Sequence, residues 1–415
     1  MAMAQQRTVV EQGNSGLGKQ AGRVRFAKRT DRMKASEIRE ILKLMAQPDF
    51  ISFAGGIPDP DLFPVEEVRI ATERVLQQSF RTALQYAPTE GYGPLREWIA
   101  AYMNETFGLG LEGADVLITS GSQQGLDLIG KLLLDEGDVV LCESPTYLGA
   151  IQAFQPYNPR FIEIETDNDG MIPESLESTL AAYPEAKLLY AVPNYQNPTG
   201  RTWSLERRKR VMEIAARYAV TVVEDDPYGE LRFEGDRLPP LQAFDQQGQV
   251  MYLGSFSKVL CPGYRVGWTA APKVYLEKMV LAKQGVDLHT SSINQMIIYE
   301  MLQQQSLSAY VSRLIGTYKE RRDAMAGVLR EKLPELKFQL PQGGLFLWGE
   351  LPEQWNCRTL LENGVQHKIA FVPGGSFYPN GGHEHTMRLN YSLSDEQRIR
   401  EGVGRLAALI HSTQA

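Results

Sequence analysis

The chain has 415 residues, 43% of them hydrophobic and 22% charged, with a formal net charge of -7 and a pI near 5.5. That length exceeds one ordinary core and points to two or three domains, while the acidic balance argues against a nucleic-acid partner. No apolar run approaches the length of a membrane span, and the three widely spaced cysteines, Cys142, Cys261 and Cys357, signal neither a disulfide framework nor a zinc site, which fits a reducing cytosol.

The first residues are rich in Gln, Gly and Ser and lack an apolar segment of the secretory kind, so they read as a disordered tail. A basic stretch follows, with Arg23, Arg25, Lys28, Arg29, Arg32, Lys34, Arg39 and Lys43. Most of these read as a solvated arm or helix face. Residues 36–45 carry a helical period, with Ile38, Ile41, Leu42 and Met45 on one face and Ser36 as N-cap. From Ile51 a short strand enters a loop containing Gly55 and Gly56, a pair that serves either a close backbone approach to a ligand or a plain turn. Helices are predicted over 65–78 and 95–106, the second started by Pro94. A buried strand over 116–119 then breaks at Ser120-Gly121-Ser122 into an apolar helix reaching 134. The free N–H groups at that helix start make either an anion site for a phosphate or an ordinary strand-to-helix turn.

Beyond this point strands and helices alternate. Apolar strands are predicted at 139–141, 160–164, 187–192, 221–225 and 250–253, with a helix over 205–218 among the connections. Near-continuous apolar strands separated by helices are what a parallel sheet covered on both faces requires. Ligands in such sheets bind at the C-terminal strand ends. The polar clusters fall there: Thr146-Tyr147, Asn197-Pro198-Thr199-Gly200, Asp225-Asp226-Pro227-Tyr228 and Ser255-Phe256-Ser257-Lys258. After Trp268 the pattern changes to helices over 272–284, 294–304 and 307–333, then strands at 345–348, 370–373 and 387–391, and a closing helix over 395–410. This end reads as a separate α/β domain with a small, mainly antiparallel sheet.

Lys258 follows the small hydroxyl residues Ser255 and Ser257, with Arg265 seven positions on. An imine-forming lysine must be neutral to attack a carbonyl, and burial with a nearby cation lowers its pKa in that direction. The hydroxyls and the arginine also suit a phosphate. Alone, the motif describes a solvated surface lysine better than a reactive one. Taken in order with Ala54-Gly55-Gly56, Gly121-Ser122-Gln123-Gln124, Asn197-Pro198-Thr199-Gly200, Asp225-Asp226-Pro227-Tyr228 and Arg388, it is more telling. From residue 25 to 410 the chain resembles fold-type I pyridoxal phosphate (PLP) enzymes of the class I/II aminotransferases, and within them the 2-aminoadipate and kynurenine aminotransferase branch.

The resemblance implies an α/β fold with a large domain built on a mostly parallel seven-stranded sheet flanked by helices, plus a smaller C-terminal α/β domain. It divides the chain into a tail (1–24), an N-terminal arm and helix packing with the small domain and the active site (25–60), a PLP-binding domain (61–300) and the small domain (301–415). It implies that Lys258 forms the imine with the cofactor and later carries the substrate's proton, that Asp225 pairs with the pyridine nitrogen, and that Tyr147 lies on the ring face. Asn197 and Tyr228 would bond the ring's phenolic oxygen. Ser122, Gln123, Ser255, Ser257 and Arg265 would hold the phosphate. Tyr86 resembles a residue that reaches the cofactor of the other subunit, which implies a homodimer with shared sites. Arg388 would take the substrate α-carboxylate, helped by Asn197 and the backbone near Gly56. Arg32 resembles a mobile arginine that recognises side-chain carboxylates, with Lys28, Arg29 and Lys34 as alternatives.

The implied activity is transfer of an amino group from an L-amino acid to 2-oxoglutarate or pyruvate in ping-pong half-reactions, with no metal and in the cytoplasm. A PLP-dependent lyase or racemase uses the same lysine and carboxylate. A PLP-binding transcription regulator needs a winged-helix domain ahead of the match, where only about twenty residues stand.

Overall fold

The computed structural model describes residues 25–33, 49–304 and 306–414; the expected tail over 1–24 and the expected helix over 36–45 lie outside the described residues. The strands, in chain order, are β1 Ile51–Ser52, β2 Val116–Thr119, β3 Val139–Glu143, β4 Arg160–Ile164, the hairpin β5 Thr166–Asp167 and β6 Gly170–Met171, then β7 Leu188–Ala191, β8 Thr221–Asp225, β9 Val250–Ser255 and β10 Gly267–Ala270. The last third adds β11 Lys337–Phe338, β12 Phe346–Glu350, β13 Ile369–Ala370, β14 Val372–Pro373 and β15 Thr386–Asn390.

Seven strands form the main sheet in the order β2-β10-β9-β8-β7-β3-β4. All pairings from β9 to β4 are parallel, whereas β10 runs antiparallel to both β9 and β2. Side-chain alternation explains why β3 is apolar from Val139 to Cys142. Val140 and Cys142 join the core beneath the helix Ser122–Leu133, while Val139 and Leu141 join the opposite core beneath Pro173–Ala182 and Leu205–Tyr218. A strand buried on both faces takes a polar side chain only where it is hydrogen-bonded, as Glu143 is at the end of β3.

Local chemistry sets the helix ends. Pro94 occupies the first turn of Gly93–Phe107, and Gly108 closes it with φ of 70° in the left-handed region. Ser204 Oγ accepts from Arg207 N at 3.3 Å and caps Leu205–Tyr218.

The C-terminal part holds a four-stranded antiparallel sheet, β11-β12-β15-β14. The helices Ser306–Lys332 and Glu396–Gln414 pack against each other beside it. The β1 segment belongs here by its bonding: it pairs in parallel with β13, and Asn390 N donates to Phe53 O at 2.8 Å. The Gly55-Gly56 turn is thereby held next to β15. Some elements differ from the sequence reading, the short strands β5, β6 and β11 among them. Strand β10 follows the Lys258 loop with only the short 3-10 turn Pro262–Tyr264 between them, and the helices Pro173–Ala182 and Cys357–Gly364 carry too few apolar positions to stand out. Among the described residues no helix is long and apolar enough to cross a membrane.

Candidate active site

At the C-terminal ends of β8 and β9 lies a cleft of roughly 540 Å³. Strand β8 delivers two adjacent carboxylates, and the backbone sends them to different places. Asp225 faces the cleft, 2% exposed, and accepts a hydrogen bond from Tyr190 on β7 at 2.9 Å. Its other oxygen, Oδ1, is buried and unpartnered among the described residues. Asp226 accepts from Tyr252 OH at 3.0 Å and lines a separate cavity. Burial pushes the Asp225 carboxyl up to about 7, although the Tyr190 hydrogen bond opposes it.

Strand β9 ends at Ser255, and Lys258 follows in the loop. Its Nζ donates to Gly56 O at 2.8 Å. Burial first, then the charges of Arg388 and Arg265, lower this amine to about 8, with Asp225 pulling the other way. The sequence points to Arg265 as the neighbouring cation; in the fold the Arg388 charge depresses the amine more strongly.

One end of the cleft is shaped by close backbone approach. Gly121 has φ of 78°, and a Cβ there would stand 2.4 Å from Arg265 Nη2; a Cβ at Gly267 would stand 2.7 Å from Ser122 N. Only glycine at these positions lets the guanidinium and the start of Ser122–Leu133 meet. Arg265 also lies 3.4 Å from Ser120 O, Gln123 Nε2 donates to Gly149 O at 2.8 Å, and Ser257 N donates to Ser255 Oγ at 3.1 Å. The cation, the hydroxyls and the helix start make an anion-binding end.

Tyr147 precedes the helix Leu148–Phe154, and its ring is laid so closely over Gly149 that a Cβ there would meet ring atoms at 2.5 Å. Burial raises this phenol to about 12. Asn197 Nδ2 donates to Tyr228 OH at 3.4 Å. The loop carrying Asn197 is held from below by buried Glu143, whose carboxylate accepts from Trp203 Nε1 at 2.9 Å and Val192 N at 3.0 Å.

Arg388 comes from β15, 1% exposed. Nη1 donates to Asn197 Oδ1 and Nη2 to Ala54 O, both at 2.7 Å, and the guanidinium lies 4.3 Å from the Phe346 ring centroid and 5.2 Å from that of Phe377. Its Nε is buried without a partner, and no carboxylate pairs with it among the described residues. Burial lowers it to about 10. A desolvated cation without a counter-ion is costly unless an anionic ligand completes it.

One cleft thus brings together Lys258, Asp225, Tyr147, Ser122, Gln123, Asn197, Tyr228, Ser255, Ser257, Arg265, Arg388 and Gly56. Tyr86 lies outside it, 79% exposed and edge-on to His289 at 5.9 Å. Arg32 closes the short turn Lys28–Arg32, and its side chain lies outside what is described. Sequence reasoning missed Tyr190, Phe346 and Phe377. A lone tyrosine in the aliphatic run Leu188-Leu189-Tyr190-Ala191 was the available signal for the first; the two phenylalanines gave none, being ordinary core aromatics until Arg388 lies over them.

Pyridoxal phosphate fits this donor set. The orphaned Asp225 oxygen suits a protonated ring nitrogen, the Arg265 end suits a phosphate, and a lysine held near neutrality suits a carbonyl. The family model "Aminotransferase class I and II" matches residues 48–406. The aromatic-amino-acid aminotransferase 1 of Thermococcus litoralis is 43% identical over 390 residues, 93% of this chain and 94% of the relative. The α-aminoadipate aminotransferase of Thermus thermophilus, solved with N-(5'-phosphopyridoxyl)-L-leucine, superposes with a TM-score of 0.87 at 43% identity, covering 94% of this chain and 98% of that one. The kynurenine aminotransferase of Pyrococcus horikoshii gives a TM-score of 0.90 at 42% identity, with coverage of 94% and 98%. The chain therefore belongs to the class I and II aminotransferases, as a PLP-dependent enzyme that moves amino groups between amino acids and 2-oxo acids by a ping-pong mechanism.

Proposed function

We propose that the enzyme takes a broad set of L-amino acids, aromatic donors and 2-aminoadipate among them, with 2-oxoglutarate or pyruvate as acceptor. The observation that carries this is the distribution of cations. Among the described cleft residues they are Lys258, Arg265 and Arg388, and only Arg388 is free to meet a substrate carboxylate. The α-carboxylate is therefore fixed while the side chain meets no fixed charge, which leaves room for aromatic and aliphatic groups. Arg32, outside the described cleft, supplies the charge when the side chain is acidic. The relatives named for aromatic, α-aminoadipate and kynurenine substrates support this breadth.

Bound PLP supplies an electron sink for the pair released when the Cα–H bond breaks. The chain's residues do the rest. Arg388, Asn197 and the Gly56 backbone orient the α-carboxylate. Tyr147 fixes the plane in which the Cα–H bond aligns. Lys258, lowered to about 8 so that a neutral fraction is present near physiological pH, takes the Cα proton and hands it on within the same exchange. Asp225 keeps a proton on the ring nitrogen, steadied by Tyr190; Asn197 and Tyr228 hold the phenolic oxygen. Ser122, Gln123, Ser255, Ser257 and Arg265 hold the phosphate.

The enzyme acts as a homodimer with shared sites. Tyr86 and its neighbours Leu84, 67% exposed, and Phe80, 48% exposed, form an apolar edge suited to a partner subunit. Residues 25–60, 61–300 and 301–415 act as arm, cofactor domain and small domain. Three free cysteines accord with a cytoplasmic enzyme. A screen of donors against both keto acids tests the proposal, with Arg32→Ala beside wild type. Selective loss of activity toward 2-aminoadipate and glutamate in that variant supports the charge-supplying role, and unchanged activity toward all donors refutes it.

A further inference from the structure

A second cavity of about 530 Å³, nearly as large as the active cleft, lies behind the Lys258 loop. Its walls are apolar and aromatic, contributed by Trp98 and Met103 of Gly93–Phe107, by Phe256 and Val259 on either side of Lys258, and by Ile315 of Ser306–Lys332. This size and lining are those of small-molecule sites. Ser255 and Pro227 line both cavities, so the two share a wall.

Among the described residues, buried polar atoms without partners gather in this lining as they do in the active cleft. In the cleft they are Asp225 Oδ1 and Arg388 Nε. In the second cavity they are Asp226 Oδ1, Trp268 Nε1 and Gln304 Nε2. Trp268 is only 9% exposed, its ring packed on Phe256 at 4.9 Å between centroids. Native interiors leave few such groups unpaired, and each costs free energy unless a ligand or water completes it.

The chemistry of these atoms selects the head group. An indole N–H needs an acceptor, which an ammonium lacks. A carboxylate oxygen needs a donor, which another carboxylate lacks. A hydroxyl supplies both. Of the other charged groups in the lining, Arg237 pairs with Glu230 and Tyr102, and Arg232 donates to the Gly235 carbonyl. We propose that this cavity binds an uncharged amphiphile, a ring-sized apolar body carrying a hydroxyl that accepts from Trp268 and donates to Asp226. Such a ligand differs in class from the zwitterionic and anionic substrates of the active cleft, and it rests against Phe256, one residue from Ser257 and two from Lys258.

Fluorine NMR of 4-fluorophenol with the PLP-loaded enzyme, held in excess 2-oxoglutarate to occupy the active cleft, tests this. Saturable binding is expected, about tenfold weaker in Trp268→Phe, where the donor is lost. Binding is expected to vanish in Ser312→Trp, which fills the mouth from an exposed position. Both variants should keep the wild-type melting temperature and cofactor absorbance. 4-Fluorobenzoate and 4-fluorobenzylamine should bind at least about tenfold more weakly than the phenol. Absence of saturable binding, displacement by 2-oxoglutarate, equal affinity in Trp268→Phe or Ser312→Trp, or equal affinity for the charged analogues each overturns the proposal.

Discussion

Lys258 and Arg388 form the two ends of one electrostatic arrangement. The arginine's charge and the lysine's burial together hold the amine near 8, so its reactivity depends on a residue 130 positions away in sequence. In cofactor-free enzyme, acylation of Lys258 read by mass spectrometry should rise with pH through about 8, and in Arg388→Gln the midpoint should move upward because a destabilising cation is gone. Lys258→Ala should lower transamination by at least about 10³-fold while cofactor absorbance still reports binding. Arg388→Lys should raise KM for every donor by roughly tenfold or more, since an ammonium lacks the planar fork. At this scale the sequence was informative where chemistry is unusual: an arginine between Met387 and Leu389, or paired carboxylates ending a β-branched strand, stand out against their surroundings. The choice between Asp225 and Asp226 rested on resemblance; the hydrogen bonds from Tyr190 and Tyr252, on neighbouring strands, are what separate them in space.

Loops and turns carry the site, and glycine decides how closely they meet. Gly121→Ala should weaken PLP binding by roughly tenfold or more, measured by cofactor titration, because the new methyl meets Arg265 and the left-handed φ becomes strained. The Asn197 loop depends on Glu143, whose carboxyl burial raises to about 7 from an ordinary 4.5. A carboxyl raised on folding stabilises most below its unfolded value, and that contribution is lost as pH rises through the folded one. Chemical denaturation of the cofactor-free protein should therefore show a stability term declining between about pH 4.5 and 7 that Glu143→Gln removes. Long apolar strands and amphipathic helices such as Leu205–Tyr218 were legible because burial imposes a period. Strand β10 was not, because it is four residues long, begins with glycine and returns directly beside β9, so nothing in its own pattern marks it apart from the Lys258 loop.

For the whole molecule, the parallel sheet was readable from alternation of strand and helix, and the small domain from the change of pattern after Trp268. The union of β1 with β13 was not, because pairing between segments more than 300 residues apart leaves no local signature. It matters, since it places Gly56 against both Lys258 and Arg388. If two subunits share their sites, Tyr86→Phe should loosen PLP by about tenfold, the size expected for one hydrogen bond to a charged group, while sedimentation still reports a dimer. The central claim, that this cleft runs a reversible amino transfer, is tested most directly by single-turnover absorbance of the PLP-loaded enzyme with L-glutamate. The account predicts full conversion to the pyridoxamine form with one equivalent of 2-oxoglutarate released, reversed by adding a 2-oxo acid; an unchanged pyridoxal spectrum, or release of ammonia in place of that conversion, would contradict it.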